Sequence, residues 1–239
     1  MALESAFPTV SRMPAKPNKS RVLLVEDHAI VRQGLTELIN HEKDLTVCGH
    51  AENCGQTLDQ IVKCSPEVLL MDITLNGANG IEVLKQVKSI YPKLKVVMLS
   101  MHDEKLYALR SIRAGASGYV MKHEATEQIL DAIRKALAGD FHLSSAMERR
   151  ALQQLTQTGK AVDSPLDVLS DRELEVFALL GDGKSTRQIA EELNLSVKTI
   201  ESHRANIKVK LNLESGIQLV QHAIHFRNPE LSAPAQEAP

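Results

Sequence analysis

Long apolar runs are missing from this sequence: no stretch approaches the ~20 residues that a membrane-spanning helix needs. The first twenty residues hold no apolar segment of the kind that drives secretion. They carry Pro8, Pro14 and Pro17 instead and read as a disordered leader. Cysteine is scarce. Cys48, Cys54 and Cys64 are odd in number and include no CxxC, so each reads as a free, partly buried thiol. This usage fits a reducing cytoplasm and argues against a zinc knuckle or a disulfide framework. No GxGxxG follows the first apolar run, which argues against a dinucleotide site. Net charge is nearly absent as well, at −2 over 239 residues, so the chain as a whole lacks the basic balance of a nucleic-acid binder.

What is present is the composition of a globular protein, 43% hydrophobic and 24% charged, long enough for one or two domains. From Arg21 to Ala138 short apolar runs alternate with longer segments of helical spacing. The runs are Val22–Val25, Thr46–Gly49, Val68–Met71, Val96–Leu99 and Gly118–Met121. Between them Ile30, Leu35, Leu38 and Ile39 recur at helical intervals, as do Leu58, Ile61 and Val62, then Leu106, Leu109 and Ile112. Five strands alternating with five helices imply a parallel sheet covered on both faces. Ligands bind beyond the carboxyl ends of such strands.

The strand ends are where the chemistry collects. The first run ends in Glu26-Asp27, the third in Asp72, the fourth in Ser100 and the fifth in Lys122. One strand-end aspartate is ordinarily a turn or a cap; three carboxylates, a hydroxyl and an ammonium at matching places point to one assembled site. Clustered carboxylates are costly without a cation, and oxygen ligands of this kind favour Mg²⁺. Lys122 and Ser100 supply a cation and a donor opposite, a set able to hold a phosphoryl group on a carboxylate. Asp72, on the expected central strand, is the natural nucleophile. His28 reads as an exposed residue opening the first helix.

Beyond a further helix from Leu143 to about Leu155, the segment 156–165 carries turn formers without periodicity and reads as a linker. A second domain follows with no strand pattern. Ser170-x-x-Glu173 and Ser185-x-x-Gln188 are capping boxes that open two helices, Ser196 caps a third, and Ser215–Ile224 forms a fourth. The third is basic: Lys198, Arg204, Lys208 and Lys210 face one acid, Glu201, while the preceding stretch is acid-rich. A basic helix after a short turn fits the DNA major groove. The expected organisation is 1–20 leader, 21–140 first domain, 141–165 helical segment and linker, 166–226 helical domain and 227–239 loose tail.

Residues 21–140 resemble the receiver domain of bacterial response regulators, through Val-Glu26-Asp27-His, Leu-Leu-Met-Asp72-Ile, Gly80-Ile-Glu-Val-Leu, Val-Val-Met-Leu-Ser100 and Gly115-Ala-Ser-Gly-Tyr119-Val-Met-Lys122. The second domain resembles the LuxR-type helix-turn-helix, through Leu169-Ser-Asp-Arg-Glu173 and Thr199-Ile-Glu-Ser-His203. The pair is similar to response regulators of the NarL/FixJ type. That resemblance implies an α/β plus all-α architecture: a flavodoxin-like (βα)5 receiver with strand order 2-1-3-4-5, then a four-helix DNA-binding domain. It implies that Asp72 accepts a phosphoryl group from a sensor histidine kinase, with Ser100 and Lys122 gripping the phosphoryl oxygens. Glu26, Asp27, Asp72 and the Thr74 carbonyl would hold Mg²⁺, and Ser100 with Tyr119 would form a switch pair. Thr74 and His102 fall where relatives tune the phosphate lifetime. On the DNA side, Glu201, Ser202 and Ala205 would meet base edges, and Lys198, Thr199, Arg204, Lys208 and Lys210 the backbone. His203 either contacts phosphate or packs. The implied protein is a cytoplasmic transcriptional regulator and not an enzyme beyond promoting its own phosphorylation and dephosphorylation. Its implied partners are the kinase, double-stranded promoter DNA and a second copy when active.

One departure stands out. Relatives follow the phosphoacceptor with Met-Pro, whereas Leu75-Asn-Gly-Ala-Asn-Gly80 stands here. Without the proline the loop is expected to be freer and its metal carbonyl less well preorganised. Two rival readings, a phosphatase with an aspartate nucleophile and an interaction protein with a vestigial DNA half, sit poorly with the intact basic helix.

Overall fold

The computed structural model describes residues 19–75, 77–101, 104–124, 126–149 and 165–227. Most of the expected leader and linker, the tail from 228, and His102 lie outside the described residues.

Five parallel strands build the main sheet: β1 (Ser20–Val25), β2 (Leu45–Ala51), β3 (Val68–Asp72), β6 (Lys95–Ser100) and β7 (Gly118–Met121). A two-stranded antiparallel hairpin, β4 (Thr74–Leu75) and β5 (Ala78–Asn79), lies between β3 and the third helix. The order β2-β1-β3-β6-β7 is the expected 2-1-3-4-5 of the five long strands. The central runs are apolar without alternation because both faces are buried. Leu23, Val25, Leu69 and Met71 point to the side covered by α2 (Cys54–Cys64), α3 (Gly80–Ile90) and α4 (Glu104–Arg113). Their neighbours Val22, Leu24, Val68 and Leu70 point to the side of α1 (Ala29–His41) and α5 (Thr126–Ala138). Each such side chain contributes about 1.5–3 kcal/mol on burial.

Spacing alone misplaces two residues. Ile30, in the first turn of α1, and Val62, on the outer side of α2, are 87% and 70% exposed. The hairpin also differs from expectation. The segment after Asp72 pairs as β4–β5, buries Leu75, and carries Gly77 at φ of 75°. It ends at Gly80, whose amide donates to the Ile73 carbonyl at 2.6 Å. A Cβ on Gly80 would lie 2.1 Å from the Asp72 carbonyl, so no other residue fits there without moving the backbone.

Residues 145–149 are helical, Leu143 and Ser144 precede the helix instead of opening it, and the expected part beyond 149 lies outside the described residues. The second domain begins with a 3₁₀ turn (Pro165–Val168), followed by α6 (Asp171–Gly181), α7 (Thr186–Glu192), α8 (Val197–Lys210) and α9 (Gly216–Arg227). Both capping boxes form, and the Ser196 hydroxyl caps α8 by accepting from the Thr199 amide at 3.0 Å. Such caps stabilise by about 1 kcal/mol each. Asn194, at φ of 50°, makes the left-handed turn between α7 and α8. Every residue of α6 is buried, its charged ones included. A helix covered all round is a core element, and this one lies between the receiver and the rest of its own domain.

Candidate functional site

The strand ends converge as their spacing requires. Asp72 closes β3 in the middle of the sheet and is 3% exposed, and Glu26, just past β1, is 1% exposed. The Lys122 ammonium, just past β7, donates to Glu26 Oε2 at 2.6 Å and to Asp72 Oδ2 at 2.7 Å. Ser100 ends β6, fully buried, one residue beyond the strand partner of Asp72. Ligand atoms of Glu26, Asp27, His28 and Asp72 all lie within 4.8 Å of one another. His28 stands exposed at the start of α1, its Nδ1 2.9 Å from Asp27 Oδ1 and 3.2 Å from Glu26 Oε1.

Burial, reinforced by the Glu26 carboxylate, pushes the Asp72 carboxyl up to about 7 against the pull of Lys122. For Lys122 burial works the other way, but Asp72 and Glu26 outweigh it and hold the ammonium above its ordinary range. Three carboxyl groups thus share the pocket with one ammonium. Asp27 Oδ1 is buried and, despite its closeness to His28, has no hydrogen bond of good geometry. An orphaned carboxylate oxygen beside two further carboxylates suits a hard divalent cation. These residues fit Mg²⁺.

Tyr119 lies on β7 opposite Met98 and is buried, so its ring is already inside the fold. Beside it sits Tyr107 on α4, wholly buried. Burial raises its phenol well above the ordinary value, and the Glu175 carboxylate and Tyr119 add to the rise. Glu175 belongs to α6, so Tyr107, on the receiver, lies within reach of a charge from the second domain. Spacing on α4 points to Leu106, Leu109 and Ile112, but the residues it buries are Leu106, Tyr107, Ala108 and Ser111, with Leu109 and Ile112 half-buried. It has two covered faces, one against the sheet and one against α6.

That contact between domains is polar. Glu175 accepts from Asn79 Nδ2 at 3.2 Å and from the Thr74 hydroxyl at 3.5 Å, both in the hairpin after Asp72. Within α6, Arg172 bonds Glu175 at 2.7 Å. Asn79 Oδ1 also caps α3 by accepting from the Ile81 amide at 2.9 Å. On the flank, Lys85 reaches Asp171 at 2.6 Å. Arg110 donates to the Leu166 and Leu169 carbonyls at 2.5 and 2.8 Å and to Asp171 at 3.3 Å. Sequence reasoning missed Asn79, Lys85, Tyr107, Arg110, Asp171 and Glu175. The available signal was the density of charge in Asp171-Arg-Glu-Leu-Glu175, unusual for a helix that a small domain must bury.

On α8, Lys198, Glu201, Ser202 and Ala205 are exposed, while Thr199, His203, Arg204 and Lys208 are half-buried. Arg204 bonds the Thr186 hydroxyl, and Lys210 is drawn to Glu173 at 2.6 Å. His203 lies close enough to Glu82 of α3 to feel its charge; burial, then Arg172, still hold its imidazole below the ordinary value. The outward side chains of α8 lie in solvent. Among the described residues, no helix is long and apolar enough to cross a membrane.

Comparison with known proteins agrees with this layout. Residues 22–134 match the response regulator receiver domain, and residues 167–223 match the bacterial regulatory proteins of the luxR family. The oxygen regulatory protein NreC of Staphylococcus carnosus is 31% identical over 209 residues, spanning 85% of this chain and 96% of that protein. NreC of Staphylococcus aureus strain MRSA252 is 32% identical over the same length. RcsB from Salmonella enterica serovar Typhimurium, solved on promoter rprA with the phosphomimetic BeF3⁻, aligns at a TM-score of 0.58 with 26% identity, covering 87% of this chain and 99% of that one. A LuxR-family two-component response regulator from Aurantimonas sp. SI85-9A1 aligns at 0.54 with 29% identity over 59% of this chain and all of that one. The chain belongs to the NarL/FixJ-type response regulators, transcriptional regulators that join a receiver domain to a LuxR-type DNA-binding helix-turn-helix.

Proposed function

We propose that Asp72 is the phosphoacceptor and that its phosphorylation by a sensor histidine kinase opens the contact between the receiver and α6. The observation that carries this reading is the buried Asp72 carboxylate held by Lys122 beside Glu26 and Asp27 at the centre of the sheet. An Asp72 oxygen attacks phosphorus in line, the bond to the kinase imidazole breaks, and the phosphoryl oxygens pass to Lys122 and Ser100. Mg²⁺ held by Glu26, Asp27, Asp72 and the Thr74 carbonyl supplies neutralising charge. Lys122 needs only a short movement, since it already bonds the nucleophile.

The phosphoryl group adds about −1.5 to −2 of charge next to the hairpin that binds Glu175. The direct route outward runs through Thr74 and Asn79, which bond Glu175. A shift of the hairpin weakens that polar contact and opens the interface. Closure acts on DNA binding through the flank of α8. A helix in the major groove has a phosphate strand on each side, and a receiver held against α6 obstructs the approach of one of them.

Once released, α8 enters the groove. Glu201, Ser202 and Ala205 meet base edges, Lys198, Thr199, Arg204, Lys208 and Lys210 the phosphates, with His203 at the flank. Ile217 on α9, 71% exposed, belongs to the surface that pairs two copies on half-sites about one turn, ~34 Å, apart. The test is phosphotransfer from acetyl phosphate followed by peptide mapping. Label on Asp72, absent in D72N, is expected, and label on another residue overturns the assignment.

A further inference from the structure

Cys48 and Cys64 take no part in the phosphoacceptor site or the DNA face, yet their sulfurs lie 3.1 Å apart. Cys48 is on the edge strand β2 and Cys64 ends α2. The strand register explains the meeting. Val22 pairs with Val47 and Leu23 with Gly49, so Cys48 is an extra residue in β2. Such a bulge re-aims a side chain, and here it turns the thiol toward α2. Gly49 keeps the space open: a Cβ there would sit 3.3 Å from Cys64 Sγ and 2.8 Å from Gln60 Oε1. The thiols form a chain in which Cys48 donates to Cys64 and Cys64 to the Gln60 carbonyl at 3.0 Å. Both are only half-buried.

We propose that Cys48 and Cys64 form a redox-active dithiol that a hydroperoxide converts to an intramolecular disulfide, Cys64 attacking and Cys48 resolving. The roles follow from the hydrogen bonds. The S–H of Cys48 points at Cys64 Sγ, so Cys48 directs its proton to its partner and Cys64 is the sulfur that accepts. Burial and the neighbouring Cys64 push the Cys48 thiol up to about 12, so it stays protonated. The Cys64 thiolate attacks the distal peroxide oxygen, the O–O bond breaks, and the leaving alkoxide takes a proton to become an alcohol. Cys64 is now a sulfenic acid, oxidised by two electrons. Cys48 sulfur then attacks it, the S–S bond forms, the S–O bond breaks, and the Cys48 proton leaves with the hydroxide as water. The sulfurs close by about 1 Å to reach the ~2.05 Å of a disulfide. Cys54 stays out of the pair, bonded to Gln86 Oε1 at 2.9 Å. In a reducing compartment a disulfide of this kind is transient, which suits a sensor.

The experiment treats the full-length protein with hydrogen peroxide, alkylates it with N-ethylmaleimide in denaturant, and reads intact mass and peptide map. One adduct, on Cys54, with a Cys48–Cys64 linked peptide is expected, and dithiothreitol restores three. The oxidised protein should melt about 5–10 °C higher, because the link closes a short loop. C48S should accumulate a dimedone-reactive sulfenic acid at Cys64, and C64S none at Cys48. Three adducts persisting at peroxide levels that oxidise free cysteine overturn the proposal. So does a link to Cys54 or between chains, which wild-type protein alone reveals.

Discussion

Removing Arg110 tests the domain contact where it is most concentrated. Its guanidinium makes three hydrogen bonds into the second domain, to the carbonyls of Leu166 and Leu169 and to Asp171, with its side chain 13% exposed. Charge-assisted bonds contribute roughly 1.5–3 kcal/mol each when buried. Two effects reduce the total. Opening returns Arg110 to water, and Asp171 keeps Lys85 at 2.6 Å. A net loss of about 2 kcal/mol follows for Arg110→Ala, which shifts the balance between closed and open forms about 30-fold. Arg110 lies on the receiver, far in sequence from α8, so any change in DNA binding must pass through the interface. Fluorescence anisotropy with a promoter duplex at fixed salt reads the outcome. Unphosphorylated R110A should bind up to about 30-fold more tightly than unphosphorylated wild type, with little further gain on adding beryllofluoride. Wild-type affinity in R110A, with an unchanged response to beryllofluoride, would refute the reasoning.

Three further outcomes follow. Gly80→Ala places a Cβ against the Asp72 carbonyl and should cost about 3 kcal/mol by overpacking, seen as a lower urea midpoint. Burial holds the Glu175 carboxyl above its ordinary value of 4.5, so the closed form binds a proton the open form releases. Closure is therefore strongest below that ordinary value and weakens as pH rises through the raised one; energy transfer between domain labels should fall over this range, and E175Q should flatten the curve. Glu201→Ala should lower the ratio of specific to random DNA binding by about 1–3 kcal/mol, while Lys198→Ala weakens both and reduces the salt slope by about 1.

The acidic site was legible in the sequence because its residues sit at strand ends, and strand ends are marked by where apolar runs stop. The capping boxes at Ser170 and Ser185 were equally plain, since their partners lie three residues away. Longer-range features were hidden. The hairpin after Asp72 has strands of two residues, too short for any period, and it is anchored by Leu75 burial and by Asn79 bonding. The burial of α6 depends on Lys85, Asn79 and Arg110, some 60–95 positions upstream of the groups they bind. From sequence alone its acids belong to a solvated stretch. The Cys48–Cys64 contact depends on a one-residue bulge that spacing does not reveal.

Promoter affinity measured for wild type and D72N, each with and without beryllofluoride, bears most directly on the link between the acidic site and DNA. Wild type should bind more tightly when beryllofluoride is present, and D72N should not respond. Equal affinity in all four samples, or a response that survives in D72N, would contradict control of α8 from Asp72.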